Sequence, residues 1–424
     1  MSGGRIQLAS VGAQDEYITG SPQITYFLKK FKRHTRFAIE TMDNGLDGDP
    51  IFGGTVRCTV PRKGDLIRSI FLRVELSELL PASSNIGYTD SIGHALIEYA
   101  DLIIGGKLIE RLTGEYLEIY SDFCVGNSQQ KAVELLVGKT KSRTGLGPAS
   151  SVTADTSAYY GKYPRVFMIP LPFYFHRQDS LSIPLSALTR HEVEIIVKLR
   201  NLENVVVQPV GDTPVVPTGS IVSVSMPIEY VFLTDEENRY IQERSTDYII
   251  TQLQMSRFTI DAGVTEVTMR TQFTNPVKEM YVVVQNQDVV NSNIITGNDW
   301  FNFTNPLQTN FPRYEQLQSL ELTFNNETRL SESVATALYL RYVHPMQFHT
   351  RIADRTVYNY SFSLDPENHI PSGQVNMSRI QNKLLKITPT PNTKPRDVRV
   401  YALSYNILRI NAGLGGVIFA NSLV

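Results

Sequence analysis

Alternation with a period of two most narrows what this chain can become. In HEVEIIVKL, Val193, Ile195, Val197 and Leu199 face one way and Glu192, Glu194 and Lys198 the other, as in a strand with one face in a core. The pattern returns at Ile70, Leu72, Val74 and Leu76 against Ser69, Arg73 and Glu75, and at Leu320, Leu322 and Phe324 against Glu321 and Thr323. It is also expected at Tyr358, Tyr360, Phe362 and Leu364 against Asn359, Ser361 and Ser363. Turn-rich clusters at 43–50, 211–219 and 388–395 separate such runs, which predicts an all-β sandwich or barrel with many strands.

Helical stretches are few. KAVELLV (131–137) is one, and DEENRYIQER (235–244) is another, with Thr234 as its expected N-cap and three acidic residues in its first turn. The second follows a strand-like run, 221–233, and precedes fresh strand-like segments from Tyr248, so a domain boundary is expected within 234–247. Two halves of similar length result. A faint repeat supports them: Phe175 and Pro184 are nine apart, as are Phe362 and Pro371, at an offset of 187 residues.

Composition excludes several classes. Lys and Arg total 40 and Asp and Glu 42, a net charge of −2, so no bulk basic field favours wrapping of nucleic acid. Charged residues at 19% and aromatic residues at 10% suit a protein with much of its surface covered. Cys58 and Cys124 are the only cysteines, too few for a disulfide framework and placed in no zinc pattern, so folding in a reducing cytoplasm is expected. The first twenty residues lack the apolar core of a secretory signal, and Ser2 stands where myristoylation needs glycine. The most apolar window, VFMIPLPFYF (166–175), holds two prolines and falls short of the roughly 20 residues that span a bilayer, so a soluble protein is expected.

Motifs of chemistry fail on spacing. Gly105-Gly106-Lys107 ends like a phosphate loop, but Asp101 and Leu108 occupy the positions that need glycine and a hydroxyl, and DLIIGGKLIE reads as a hairpin. GLGG (413–416) lacks the later glycine of a dinucleotide fingerprint. His191-Glu192 begins a zinc-protease motif, but Ile195 stands where the second histidine is required. His344 and His349 are expected on a strand and loop, on opposite faces, and not as a metal pair. Asp43, Asp47 and Asp49 imitate a calcium loop whose twelfth position is Gly54 instead of glutamate. Glu192 and Glu194, about 7 Å apart on one strand face, are the best enzymatic case, a glycosidase-like carboxylate pair against the plainer reading of a solvated strand face. Sequons at Asn302, Asn326, Asn359 and Asn376 are about as many as chance supplies. No catalytic, cofactor-binding or metal-ligating residues are expected, and no cofactor.

Several segments together resemble the major capsid protein of the nucleocytoplasmic large DNA viruses. Ile24–Ala38 and VPRKGDLIRSIFLRVEL (60–76) resemble its first strands, and IGHALIEYADLIIGGKLIERLTGEYLEIY (92–120) resembles a family stretch in which a strand, an IGG turn and an acidic pair precede a helix. PLPFYFHRQDSLSIPLSALTRHEVEI (170–195) and EYVFLTDEENRYI (229–241) are similar to later family segments. Most specific are YNYSFSLDPENHIPSGQVNMSRI (358–380) and VYALSYNILRINAGLGGVIFAN (400–421). Gln374, Met377 and Gln381 depart from the family's usual Thr, Phe and Asp.

The resemblance implies two consecutive eight-stranded jelly rolls with a few short helices in loops and linker: an arm at 1–23, a first jelly roll at 24–233, a linker helix at 234–247 and a second jelly roll at 248–424. It implies a homotrimeric, pseudo-hexagonal capsomer of an icosahedral shell, in a virion assembled in the host cytoplasm. The partners implied are neighbouring capsomers, minor capsid and penton proteins and, through the arm, internal membrane proteins, with no direct nucleic-acid binding. A carbohydrate-binding or attachment jelly roll on the virion surface is the alternative. Loops 82–89, 138–157 and 285–310 are candidates for an outward crown or for contacts between subunits.

Overall fold

The architecture follows from where the alternating strands can hide their apolar faces. A computed structural model describes residues 2–29, 31–81, 86–139, 164–176, 178–208, 213–291, 293–295, 297–310 and 312–419. The chain divides into two units, Met1–Arg36 and Phe37–Val424.

In the first unit, α1 (Gly3–Ala9) and α2 (Ala13–Thr19) precede chain without regular structure, and every described residue is exposed. The first strand begins at Phe37, so most of Ile24–Ala38 lies outside the sheets, contrary to the resemblance. The apolar block Tyr26-Phe27-Leu28 followed by Lys29-Lys30 has no period of two to seat in a sheet.

Among the described residues, sixteen strands form the four main sheet paths of the second unit, with shorter pieces such as Leu414–Val417 paired at their edges. The first eight are β1 (Phe37–Asn44), β2 (Thr55–Thr59), β3 (Leu66–Leu76), β4 (Ile97–Ile104), β5 (Lys107–Thr113), β6 (Arg165–Pro170), β7 (Val193–Leu199) and β8 (Ile221–Leu233). They pair antiparallel in two sheets, ordered β1-β8-β3-β6 and β2-β7-β4-β5. The next eight are β9 (Thr246–Ile260), β10 (Val267–Arg270), β11 (Pro276–Asn286), β12 (Leu317–Phe324), β13 (Glu327–Leu330), β14 (Tyr358–Ser361), β15 (Lys383–Pro389) and β16 (Arg396–Asn411). Their sheets are ordered β9-β16-β11-β14 and β10-β15-β12-β13. Adding eight to each strand of the first half gives the second, so the two halves share one jelly-roll topology. The offset is not constant, however. β1 and β9 start at Phe37 and Thr246 but β8 and β16 at Ile221 and Arg396, so the 187-residue spacing of the Phe/Pro pairs is not a structural offset.

Helices fill the connections: α3 (Ile92–Leu96), α4 (Gly114–Cys124), α5 (Asn127–Val137), α6 (Asp235–Glu243) between the halves, and α7 (His344–Phe348). Thr234 occupies the cap position of α6, but its side chain makes no capping bond; Asn238 instead anchors the helix to Asp65 at 2.8 Å.

Where the alternation was clean, burial follows it. Val193, Ile195, Val197 and Leu199 are buried and the residues between them are half-buried. The second half departs from this in its first sheet. β11 is buried along nearly its whole length, because its two faces feed two cores. Met280, Val282 and Val284 enter the interior of the second jelly roll, while Tyr281 and Val283 join a core that includes Ile70, Leu102 and Phe123 of the first. β16 divides the same way, with Val400 and Ala402 on one side and Tyr401 and Leu403 on the other. The core of the first half thus continues onto the outer face of the second.

Two expectations need correction here. The strand at Tyr358 ends at Ser361 and is buried throughout, whereas Leu364 is exposed. His344 and His349 lie on and just after helical turns at 339–348, not on a strand. The two facts share a cause: the His344 ring stacks on Tyr360 at 4.8 Å and accepts the Ser361 N–H at 2.7 Å, so α7 covers the face of β14 that would otherwise meet solvent.

Candidate functional site

The residues that sequence singles out for chemistry are placed for structure. Glu194 on β7 is held by the Arg57 guanidinium from β2, and Glu192, exposed just before the strand, acts on the same guanidinium, so the pair belongs to a charged strand face neutralised by Arg57. Gly105 and Gly106, at φ +58 and +75, form the hairpin turn between β4 and β5. His191 Nδ1 lies 3.1 Å from the Gly415 amide and 3.0 Å from its carbonyl, in the hairpin after β16. A Cβ on Gly105 would fall 2.3 Å from His191, and one on Gly413 would fall 2.3 Å from Thr189 Oγ1. Gly105 is therefore a close-approach point within the first half and Gly413 one where the halves meet, and neither is a phosphate cradle.

Asp43 lies in β1 and Asp47 bridges Arg57 through backbone bonds, so they do not converge with Asp49 into a loop. Cys58 is buried in β2, where burial pushes its thiol up to about 11. Among the described residues no group of three or more His, Cys, Asp or Glu is arranged to hold a metal. Asn302 and Asn359 are buried, leaving Asn326 and Asn376 as the exposed sequons. Three clefts on the second half, of about 300, 500 and 210 Å³, have no His, Cys, Asp or Glu in their linings.

A buried cluster of charge lies instead at the junction of the halves. Glu118 and Asp122 sit one turn apart on α4, both fully buried. Arg355, in the segment between α7 and β14, reaches across from the second half. Its Nη2 donates to Asp90 at 2.9 Å, its Nε to Glu118 at 3.0 Å, and its backbone N–H to Asp122 at 3.0 Å. Lys139, just past α5, donates to Asp122 at 2.5 Å and lies 3.4 Å from Glu118. His94 Nδ1 completes the set, 2.8 Å from Glu118. Burial alone would push the Glu118 carboxyl up, but Lys139, Arg355 and His94 outweigh it and hold the group well below the usual carboxylate range.

A second seam lies alongside. Arg399 of β16 pairs with Glu115 of α4 at 2.7 Å. The chain at 297–305, expected at the outward crown or in contact between subunits, is largely buried against the first half. Asn298 donates to the carbonyls of Glu203 at 2.6 Å and Val206 at 2.7 Å, and accepts from Thr89 through its own carbonyl at 2.7 Å. Trp300, the only tryptophan, donates to Asn204 at 2.6 Å while the Arg200 guanidinium lies 3.9 Å over its ring. These polar groups explain the burial of a loop: each satisfies a main-chain partner that would otherwise be stranded. Of the other two loop candidates, 86–89 and 138–139 are buried, and 82–85 and 140–157 lie outside the described residues.

The arrangement can fasten two jelly rolls into one body; it contains no nucleophile and base converging on a cleft. Sequence reasoning missed the junction, whose partners lie 237 and 265 residues apart. It also missed a second feature. Between Glu16 and Glu40 the chain has no acidic residue and five Lys or Arg.

Comparison with known proteins agrees with this arrangement. Residues 25–234 match the family described as major capsid protein N-terminus, and residues 237–416 match that described as large eukaryotic DNA virus major capsid protein. The major capsid protein of Pyramimonas orientalis virus is 31% identical over 99% of this chain and 100% of its own length. That of Phaeocystis pouchetii virus is 29% identical over the same shares. Among solved structures, a chain of the PBCV-1 virus capsid superposes with a TM-score of 0.77 at 24% identity, over 94% of this chain and 100% of the other.

Proposed function

Because the chain belongs to the family of major capsid proteins of large eukaryotic DNA viruses, we propose that its surfaces build a homotrimer and that no catalytic site is at work in it. The protein is a structural component of the viral capsid, with the double jelly-roll fold. One observation carries the finer reading: the two jelly rolls have the same strand order and are locked through a shared core and a buried ionic junction. A rigid pair of near-equivalent bodies lets three copies present six similar lobes, which pack as a pseudo-hexagon while using one kind of chain. Boundaries at 1–23, 24–233, 234–247 and 248–424 are proposed for the arm, the first jelly roll, the linker helix and the second jelly roll. Neighbouring capsomers, minor capsid and penton proteins are the proposed partners, in an icosahedral virion assembled in the host cytoplasm. Weak contacts suffice in such a lattice, because each copy is held by many neighbours at once.

Light scattering coupled to size exclusion tests the trimer. One chain is 47.7 kDa, so three give about 143 kDa. A stable species at that mass is expected; a strict monomer at high protein concentration rejects the homotrimer as a property of this chain.

A further inference from the structure

We propose that the second jelly roll binds a halide-sized inorganic anion in its interior, against the guanidinium of Arg396 at the start of β16. Among the described residues three arginines are less than 2% exposed: Arg341, Arg355 and Arg396. The first two face carboxylates, Arg341 at Glu315 and Arg355 at Asp90 and Glu118. Arg396 faces amides instead. Its Nη1 donates to the main-chain and side-chain oxygens of Gln316 at 3.2 and 3.3 Å, and among the described residues its Nε and Nη2 have no partner. The carboxylates beside it in the chain are committed elsewhere. Glu315 accepts from Arg341 at 2.5 Å and from Tyr358 at 2.7 Å. Asp397, on the opposite face of β16, accepts from Arg257 at 2.5 Å and from Gln287 at 2.8 Å. Burial lowers the pKa of Arg396 to about 10, which still leaves the group charged at neutral pH.

That charge selects the occupant. A buried cation without a counter-charge is costly, and hydrogen bonds alone do not remove the cost. A water molecule would accept the two N–H groups and leave the charge standing; an anion answers both. Nε and Nη2 lie on one edge of the guanidinium and donate side by side, so a single ion can accept from both. The neighbours limit that ion to a small one. Gln316 has spent both side-chain N–H groups, on Asn286 at 3.1 Å and the Thr304 carbonyl at 2.9 Å. Asn305 has likewise spent both, on Thr390 at 2.9 Å and the Pro391 carbonyl at 3.1 Å. The outer oxygens of a phosphate or sulfate would find no donors among these amides, whereas a halide is satisfied by the guanidinium edge. A polar route to solvent exists as well. Asn392 lines the cleft of about 500 Å³ and donates to Asn286 at 2.8 Å, so a chain of amides runs from that cleft through Asn286 and Gln316 to Arg396.

Thermal unfolding of the full chain, followed by circular dichroism in sodium gluconate at fixed ionic strength, tests it. Gluconate is too large for an enclosed site, and replacing it by chloride or bromide from about 1 to 100 mM is expected to raise the native midpoint by about 2 °C or more. Arg396→Met fills similar space without the charge, and its midpoint is expected to stay fixed across the same series. A second measurement needs no variant and decides the matter if Arg396→Met does not fold. Crystals of the native chain grown in sodium bromide are expected to show anomalous scattering within hydrogen-bonding reach of Arg396 Nε and Nη2. No rise with either halide, an equal rise in the two proteins, or a water without anomalous signal at that edge overturns the proposal.

Discussion

Replacing Arg355 by methionine removes the guanidinium that the second half sends between Asp90 and Glu118 of the first. Arg355 is about 1% exposed, and the carboxylates it meets, Asp90 and Glu118, are 5% and 0% exposed. Methionine fills similar space but leaves three buried carboxylates facing Lys139 and His94 alone. Breaking a buried pair in this way costs about 3–5 kcal/mol, since the remaining charge keeps its desolvation penalty and loses its compensation. A loss of that size is a large share of the roughly 5–15 kcal/mol that holds most domains folded. Urea unfolding followed by Trp300 fluorescence and by circular dichroism measures it. The comparison is Arg409→Ala, whose pair with Asp247 is 2.7 Å long but about half exposed on both sides and screened by water, for which only a small shift of the urea midpoint is expected. Arg355→Lys keeps the charge without the fork and should fall between the two, giving a readable result if the methionine variant does not fold. Adding Asp90→Asn to Arg355→Met should cost less than Asp90→Asn alone, because the partner is already gone. If Arg355→Met loses no more than Arg409→Ala, the junction does not hold the halves together and the reasoning fails.

Other consequences can be checked separately. His349 lies 3.2 Å from both Glu279 and Glu367; burial lowers its pKa, but the two carboxylates overcome this and raise it to about 9. Its contribution is therefore complete below the ordinary histidine value near 6.5 and is lost as pH rises through about 9, so stability measured from pH 7 to 10 should fall in the native protein and flatten in His349→Gln. Glu118 has the opposite sign: its depressed pKa gives stability that is present above the ordinary carboxylate range and lost as pH falls through the folded value, so Glu118→Gln should lessen the acid sensitivity of urea unfolding. Gly105→Ala should destabilise by about 1–2 kcal/mol or more, since it needs φ +58 and places a methyl on His191; a thermal shift within error of the native protein contradicts the close-approach role. Replacing Glu192 and Glu194 together with glutamine should move the urea midpoint little, because the contact it removes is with the solvent-screened Arg57; a large loss of stability contradicts the reading of a solvated strand face.

The fold was legible wherever one face of a strand meets water. β3, β7 and β12 show their burial in their letters, and the helix at 235–243 shows itself through its acidic first turn. The same logic fails in β11 and β16, whose runs YVVV and VYAL are apolar on both sides because each face meets a different core, and period-two reading gives no means of dividing them. His344 misled for a related reason: its neighbours Tyr339, Leu340 and Tyr342 suit a strand, and only packing against Tyr360 selects the helix. The junction left a half-signal. Glu118 and Asp122, four apart in a helix otherwise dense with Tyr, Leu, Ile and Phe, require buried cations, but nothing local points to Arg355 across 237 residues. The basic, acid-free stretch from 17 to 39 is written in the letters, but a net charge taken over the whole chain averages it away.

The sharing of one core between the two jelly rolls has a mechanical consequence. A connector as short as α6 could have served as a hinge, but Tyr281, Val283, Tyr401 and Leu403 are embedded in the neighbouring roll, so rotation about it would open apolar surface to water. The angle between the rolls is fixed within each chain. Curvature in any shell made from such tiles must then be taken up at the seams between them, where contacts are many and individually weak. Stiffness belongs to the chain, and compliance to the lattice.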